Sequence, residues 1–179
     1  MTGNIRNTSS SFTANDLMKY VLIFFIWATF FDGYAQVKII SMERLDKIVN
    51  TEDDTTRVIN FWATWCSPCI EELPYFEAVN ETMADKKIKI LLISLDFRSV
   101  LESSVVPFLK KKNIRSEVLL LDEPDANSFI DKVSPQWSGA IPATLIVNNK
   151  QSIRRFYEKK FTKDELFSIL ETITERNKK

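Results

Sequence analysis

The segment Phe61–Cys69, with the sequence FWATWCSPC, is the most informative part of this chain. It contains both cysteines of the 179 residues and follows a run of strand-forming residues. Two cysteines at positions i and i+3 can form a small disulfide ring if a helix begins at the first of them. A helix start also places backbone N–H groups and the positive end of the helix dipole near Cys66, which favours its thiolate. Because thiolate is the attacking species in disulfide exchange, the segment predicts redox chemistry at Cys66 and Cys69.

The composition excludes several other classes of function. The 24 basic and 24 acidic side chains cancel, so no bulk charge indicates nucleic acid as a partner. Histidine is absent from the sequence, which removes the commonest neutral metal ligand and the usual general base. Structural zinc normally needs four cysteine or histidine ligands, and two cysteines cannot supply them. We therefore expect no metal site.

The N-terminal region contains an apolar run, Tyr20–Phe31, of 12 residues. This run is too short to span a bilayer comfortably, but it suits the hydrophobic region of a secretory signal peptide. Gly33 and Ala35 then supply small residues ahead of a cleavage site. The competing interpretation is an uncleaved membrane anchor. The pattern favours export.

Two domain assignments follow. Residues 1–35 are predicted to be a signal peptide or N-terminal membrane segment, and residues 36–179 a single domain of ordinary size. A translation start at Met18 would place the apolar run directly after the initiating residues.

Export would place Cys66 and Cys69 in an oxidising compartment, where cysteine pairs often form structural disulfides. A disulfide between these two residues closes a very short loop and therefore stabilises the fold little. This favours a disulfide that is opened and closed during function.

The hydrophobic pattern predicts alternating strands and helices. Strands are expected at residues 37–40, 57–62, 88–95, 118–121, 143–147 and 152–156. Helices are expected at residues 41–50, 66–83, 100–112, 125–133 and from 162 onward. This order predicts an α/β fold with a central mixed sheet flanked by helices. The cysteines then lie at the carboxyl end of a parallel strand, where active sites of such sheets are found.

Three local signals refine these elements. Pro74 is expected to kink the helix that begins near Cys66, because it removes a backbone donor. Asn148-Asn149 predicts a tight turn between the last two strands, which form an antiparallel pair. Thr162 with Glu165 predicts a capping box at the start of the final helix.

At this point the sequence resembles the thioredoxin fold, and more narrowly the periplasmic thiol–disulfide oxidoreductases of the TlpA/ResA type. The resemblance covers nearly everything after Gln36. It rests on Val58–Cys69, Glu72, Pro74 and Gly139–Thr144. The additional strand and helix at Val118–Val133 resemble the central insertion of this subfamily.

The two cysteines are expected to have different roles. Cys66, at the mouth of the helix, is predicted to be the exposed nucleophile, and Cys69, one turn further, the buried resolving thiol. Cys66 thiolate would attack a partner disulfide, and Cys69 thiolate would then resolve the mixed disulfide. A purely structural bridge is the alternative.

Glu72 is the predicted proton acceptor for Cys69. Thioredoxin-like proteins often bury an aspartate at the position of Asn60, and an asparagine cannot take a proton. Glu72 lies three residues after Cys69, and helical side chains lean toward the N-terminus, so its carboxylate can approach that sulfur. Partial burial would raise its pKa and assist proton transfer. A solvated surface glutamate is the alternative.

Five residues are predicted to contact the partner protein. Pro142 resembles the cis-proline that lies against the disulfide in this fold, and an ordinary trans proline is the alternative. As a cis peptide it would direct the backbone of Ile141 toward a bound peptide. Trp65 is expected to be a partly exposed wall of the partner groove. Ser67 and Pro68, between the cysteines, complete the contact surface.

The resemblance implies an exported, periplasmic thiol–disulfide oxidoreductase that acts on cysteines of envelope proteins, with the reductive direction favoured. It implies no cofactor besides the Cys66–Cys69 disulfide, and a membrane thiol relay as the electron donor. Two alternatives stay open: a thiol peroxidase-like enzyme and a binding module without catalytic activity on the same fold. The peroxidase alternative lacks the threonine and arginine that such enzymes place around the reactive cysteine.

Overall fold

The computed structural model describes residues 37–123 and 125–176. The predicted signal segment at residues 1–35, with Met18, lies outside the described residues. Within those described ranges, no helix combines the length and apolar character needed to cross a membrane.

One sheet of six strands organises the described chain, in the order β1-β4-β3-β2-β5-β6. The strands are β1 (Lys38–Ile40), β2 (Thr56–Trp62), β3 (Ile88–Ser94), β4 (Glu117–Leu121), β5 (Ala143–Asn148) and β6 (Ile153–Tyr157). The helices are α1 (Met42–Val49), α2 (Ser67–Thr82), α3 (Val106–Lys112), α4 (Ile130–Val133) and α5 (Lys163–Arg176). Each predicted strand is therefore confirmed to within two residues at either end.

The sheet is mixed, as predicted. Strands β1, β4, β3 and β2 pair in parallel, whereas β5 pairs antiparallel with both β2 and β6. Strand β2 lies in the interior of the sheet, and all seven of its residues are buried. Asn60 in this strand pairs with Leu92 of β3 on one side and Thr144 of β5 on the other. The carboxyl end of β2, which leads to Cys66, is thus held from both sides.

Side chains of β2 alternate between two apolar cores, one on each face of the sheet. Val58 and Trp62 join the core that contains Phe76 of α2. Ile59 and Phe61 join the opposite core. This period of two is the ordinary consequence of strand geometry, and it explains why the strand has a nearly continuous apolar sequence.

Two predicted helices begin differently from expectation. The predicted helix at 100–112 starts as a 3₁₀ turn (Arg98–Val100) and a π-helical turn (Leu101–Val105) before α3. Pro107 lies in the first turn of α3, directly after the π-helical turn. The predicted helix at 125–133 is a 3₁₀ turn followed by the short α4. The Asp125 side chain accepts the N–H of Asn127 at 2.9 Å, as a cap does.

The tight turn predicted at Asn148-Asn149 is confirmed, and it joins an antiparallel pair of strands. The connection is a 3₁₀ turn (Asn149–Gln151) followed by Ser152 in a left-handed conformation with φ of 55°. The Asn149 side chain donates to the carbonyl oxygens of Val49 and Thr51 at 2.8 and 3.0 Å. These long-range bonds engage the asparagine in a contact that sequence spacing does not reveal.

The predicted capping box at α5 is confirmed. The Thr162 N–H donates to Glu165 Oε2 at 3.0 Å, and the Glu165 N–H donates to Thr162 Oγ1 at 3.3 Å. Both bonds satisfy backbone donors that the helix itself cannot satisfy. The helix buries Leu166, Leu170 and Ile173 against the sheet.

Replacing Thr162 by alanine should lower the free energy of unfolding by about 1 kcal/mol, because the cap is lost. Thr172→Ala is the matched control, since Thr172 is exposed within the same helix and donates only to the Ser168 carbonyl at 2.8 Å. That control should change the stability by no more than a few tenths of a kcal/mol, or raise it, because alanine is the better helix former. Urea denaturation measures both changes. Equal losses in the two variants would contradict the assigned cap.

Candidate active site

Cys66 and Cys69 form a disulfide at the amino end of α2, with a Cα–Cα distance of 5.3 Å. Cys66 has an extended backbone conformation and occupies the N-cap position of the helix. The Cys69 N–H donates to Cys66 Sγ at 3.3 Å. The predicted disulfide ring at a helix start is therefore present. The Cys69 N–H, which has no partner within the helix, points at the sulfur of Cys66. In the reduced protein, this donor and the helix dipole would stabilise a Cys66 thiolate.

Cys66 is more exposed than Cys69, as predicted, but Cys66 itself is nearly buried. Cys69 is fully buried, and Cys66 is 5% exposed. The expectation of an exposed Cys66 is therefore wrong for this disulfide form. The physical reason is the loop before β5, whose Ile141 carbonyl oxygen lies 3.7 Å from Cys66 Sγ.

The residues predicted to contact a partner surround this disulfide. The Ile141–Pro142 peptide bond is cis, as predicted, and Pro142 is buried. Trp65 is 68% exposed, and Ser67 and Pro68 are exposed at the first turn of α2. These side chains form an accessible rim around a nearly closed disulfide. Their contact with a partner stays a prediction.

Glu72 is fully buried, so the alternative of a solvated surface glutamate is wrong. Its Oε1 accepts Asn60 Nδ2 at 2.8 Å, and its Oε2 accepts the Phe161 N–H at 2.7 Å. Burial raises the pKa of Glu72 to about 7, against the lowering effect of these two hydrogen bonds and of the Lys160 charge. A carboxyl group with this pKa can take or give a proton near neutral pH. Its role toward Cys69 stays a prediction.

Asn60 connects Glu72 to the sheet. Its Nδ2 also donates to Thr144 Oγ1 at 3.1 Å, while its buried Oδ1 has no hydrogen-bond partner among the described residues. Rotating this amide by half a turn would present Oδ1 to a protonated Glu72. The same pair of side chains can therefore match both charge states of the glutamate.

Sequence reasoning missed two parts of this site. Phe161 lies 89 positions from Glu72, and no local pattern indicates that its N–H is a donor. Asp96 was also missed. It is buried, and its carboxylate accepts the Thr64 hydroxyl at 2.6 Å, the Thr64 N–H at 3.0 Å and the Ser94 hydroxyl at 2.9 Å. The position of Asp96 just after β3 could have indicated it. Strands β2 and β3 are parallel neighbours, so the residues that follow them lie at the same edge of the sheet.

The described part of the chain has no cluster of metal ligands. Across residues 37–123 and 125–176, no group of three or more histidine, cysteine, aspartate or glutamate side chains could hold a metal ion. The absence of a metal from the whole protein stays an expectation.

Comparison with known proteins places this site in a family. A family model described as AhpC/TSA matches residues 47–156, which include both cysteines, Glu72 and the cis-proline. The chain belongs to the AhpC/TSA family. Among curated relatives, it is 29% identical to the thioredoxin-like protein YneN of Bacillus subtilis over 111 residues, 61% of this chain and 59% of the relative. It is 25% identical to the thiol-disulfide oxidoreductase ResA of Bacillus cereus over 116 residues, 65% and 62% of the two chains.

These matches span about three fifths of the length of each relative. Solved structures confirm the thioredoxin-like fold of this family member. A thioredoxin-related protein from Neisseria meningitidis serogroup B has a TM-score of 0.56 at 21% identity, covering 65% of this chain and 82% of that one. A thiol:disulfide interchange protein from Chlorobium tepidum TLS has the same TM-score and identity, with coverages of 68% and 81%.

The buried Glu72 should make the stability of the oxidised protein depend on pH. Its raised pKa means that between about pH 4.5 and pH 7 the folded state keeps a proton that the unfolded state releases, so stability falls as pH rises. Glu72→Gln should remove this decline, which is on the order of 3 kcal/mol. Urea denaturation at pH 5 and pH 8 measures it.

Glu71→Gln is the matched control for this measurement. Glu71 is the preceding residue, is 58% exposed and forms a surface ion pair with Lys160 at 2.7 Å. Such pairs contribute little to stability, so this variant should keep the pH dependence of the wild type. A Glu72→Gln protein with the wild-type decline would contradict the assigned titration.

Proposed function

We propose that this protein is an exported thiol–disulfide oxidoreductase that exchanges its Cys66–Cys69 pair with cysteines of envelope proteins and acts as a reductant. The observation that carries this proposal is the disulfide at the start of α2, where the Cys69 N–H donates to Cys66 Sγ at 3.3 Å. The printed names of its relatives, including thiol-disulfide oxidoreductase ResA, support the reaction class.

The reductive reaction begins from the dithiol. Cys66 thiolate attacks one sulfur of a partner disulfide, the partner's S–S bond breaks, and its second sulfur leaves as a thiolate. Cys69 thiolate then attacks Cys66 Sγ in the mixed disulfide and releases the remaining partner sulfur. Two electrons pass to the partner, and the Cys66–Cys69 disulfide is restored. No cofactor beyond this disulfide is needed to balance the reaction.

The proposed roles follow from the surroundings of each sulfur. Cys66 has the helix N–H donor and the remaining accessible surface, so it is the attacking thiolate. Cys69 is fully buried, and its sulfur is bonded to Cys66. Burial disfavours its thiolate, so it must lose a proton as it attacks. Glu72, one turn along the same helix with a pKa of about 7, is the proposed acceptor.

Export is inferred from the N-terminal sequence, and the electron donor from the compartment. The apolar run Tyr20–Phe31 favours a signal peptide or an N-terminal anchor, with a periplasmic domain. A reductant in an oxidising compartment needs a continuing source of electrons, and a membrane thiol relay is the proposed donor. Envelope proteins whose cysteines have been oxidised are the proposed substrates.

The two cysteines should be separable by mutation. With dithiothreitol as the electron source, the wild type should accelerate the reduction of insulin disulfides, and Cys66→Ser should abolish this acceleration. In a single turnover without dithiothreitol, the reduced Cys69→Ala variant should keep the first step and accumulate a mixed disulfide on Cys66, because the thiol that resolves it is missing. Mass spectrometry of the intact protein detects that species. Wild-type activity in Cys66→Ser would contradict Cys66 as the attacking thiolate, and a wild type without any acceleration would favour the non-catalytic binding module instead.

The reductive direction predicts the potential of the pair. Equilibration with glutathione buffers should give a value near the reducing end of the thioredoxin-like range, about −270 mV, and far from the oxidising value of about −120 mV. Quantifying the two redox forms by alkylation and mass measurement gives this potential. A value near the oxidising end would show that the protein forms disulfides in its partners rather than reducing them.

A further inference from the structure

Glu158 directly follows β6 and lies beside the segment that leads into β5. Strands β5 and β6 are antiparallel, and Thr144 near the start of β5 pairs with Tyr157 at the end of β6. The chain before β5 and the chain after β6 therefore meet at the same edge of the sheet. This topology brings the Glu158 carboxylate within hydrogen-bonding distance of residues 18 and 20 positions earlier.

Three donors from this segment, the Ser138–Ala140 loop, converge on Glu158. The Ser138 N–H donates to Oε2 at 3.1 Å, and the Ala140 N–H donates to Oε1 at 3.0 Å. The Ser138 hydroxyl also donates to Oε1. The bond from this hydroxyl, followed by those from the two N–H groups, holds the pKa of Glu158 below its ordinary value. The acceptor is therefore charged at neutral pH, and hydrogen bonds to a charged acceptor are roughly twice as strong as neutral ones.

The same loop also contacts the insertion and the core. Trp137 Nε1 donates to the Ala140 carbonyl oxygen at 2.8 Å. Gly139 has a φ of 95°, and a Cβ added there would lie 2.9 Å from Ile130 Cδ1, so the backbone of the loop lies close against α4. The loop is therefore held by packed residues on one part of its surface and by the Glu158 carboxylate on another.

The residue that follows this loop covers the redox-active sulfur. Ile141 comes directly after Ala140, and its carbonyl oxygen lies 3.7 Å from Cys66 Sγ. Cys66 is 5% exposed in the disulfide form, and Cys69 is fully buried. A thiolate that opens the disulfide must therefore reach Cys66 Sγ past the Ile141 backbone. Displacement of the loop would change the rate of this attack.

We propose that Glu158 is a positioning residue of the redox site. Its carboxylate holds the Ser138–Ala140 loop, and the loop keeps the Ile141 carbonyl group beside Cys66 Sγ. Glu158 thereby limits the access of small thiols to the disulfide. This inference rests on the proposed oxidoreductase function, in which opening the disulfide regenerates the dithiol that reduces partner proteins.

Reduction of the disulfide by an excess of dithiothreitol tests this proposal in the full chain. One thiolate of dithiothreitol attacks Cys66 Sγ, the Cys66–Cys69 bond breaks, and Cys69 leaves as a thiolate. The second thiolate of dithiothreitol displaces Cys66 and closes a cyclic disulfide, so that two electrons pass to the protein. Samples are quenched with N-ethylmaleimide at successive times. Mass spectrometry of the alkylated protein then gives the second-order rate of reduction.

We expect Glu158→Ala to increase this rate at least about fivefold, because the loop loses three hydrogen bonds and opens more often. Glu158→Gln should give an intermediate rate, since its amide oxygen can still accept the Ser138 hydroxyl and the Ala140 N–H. Exchange of the Ala140 amide proton with solvent, followed by NMR, should accelerate in Glu158→Ala. Amide protons of the buried strand β2 should keep their protection, because only the loop opens.

Glu171→Ala is the matched control, because it removes the same charge from another part of the surface. Glu171 is an exposed residue of α5 that lies near Asp54 and Lys87, at the amino ends of β2 and β3, whereas Cys66 follows the carboxyl end of β2. This variant should keep the wild-type rate.

An unchanged rate in Glu158→Ala, or an equal acceleration in Glu171→Ala, would overturn the proposal. A parallel loss of protection in β2 would also overturn it, since general unfolding would then explain the faster reduction. A wild type that cannot accelerate insulin reduction would instead overturn the oxidoreductase function, and the reduction rates of the variants would still be measurable.

Discussion

The fixed position of β2 is the constraint on which the rest of the structure depends. All seven residues of this strand are buried, and β3 and β5 hold it from both sides. Its carboxyl end therefore cannot shift without disturbing both apolar cores. Because the chain turns into α2 within a few residues, the position of Cys66 and the direction of the helix that carries Cys69 and Glu72 follow from this strand. The Asp96 carboxylate, with bonds to Thr64 of 2.6 and 3.0 Å, fixes the short turn between them.

Strand β2 also positions the titratable group of the site, Glu72, through Asn60. Asn60 points from β2 into the core, where its amide meets Glu72 at 2.8 Å. A buried carboxyl group in this position would ordinarily be neutral, but the donors from Asn60 and Phe161 stabilise its charged form and keep its pKa near 7. Where thioredoxin-like proteins often place an aspartate in the strand, this chain has the carboxylate on the helix and a neutral amide in the strand.

The inserted segment extends the site in the opposite direction. Strand β4 lies between β1 and β3, so the insertion belongs to the main sheet. Its residues Leu119, Leu121, Phe129 and Val133 join the core that contains Phe61, and Val118 and Leu120 join the opposite core. Its far end then meets the segment before the cis-proline, where Phe129 packs on Trp137 with ring centroids 5.7 Å apart and Trp137 Nε1 donates to the Ala140 carbonyl oxygen at 2.8 Å. The loop that covers Cys66 is consequently supported by the insertion. The proposed disulfide exchange thus depends on one continuous packed region.

The sequence by itself determined the strands, the order of the main elements, the cysteine pair and the cap at Thr162. These features depend on hydrophobic periodicity or on residues a few positions apart, which local patterns record. Tertiary structure alone decided that Phe161 donates to Glu72, that Asn149 bonds to Val49 and Thr51, and that Ile141 leaves Cys66 only 5% exposed. Each of these contacts joins residues between 75 and 100 positions apart, and only the packing of the sheet brings them within hydrogen-bonding distance.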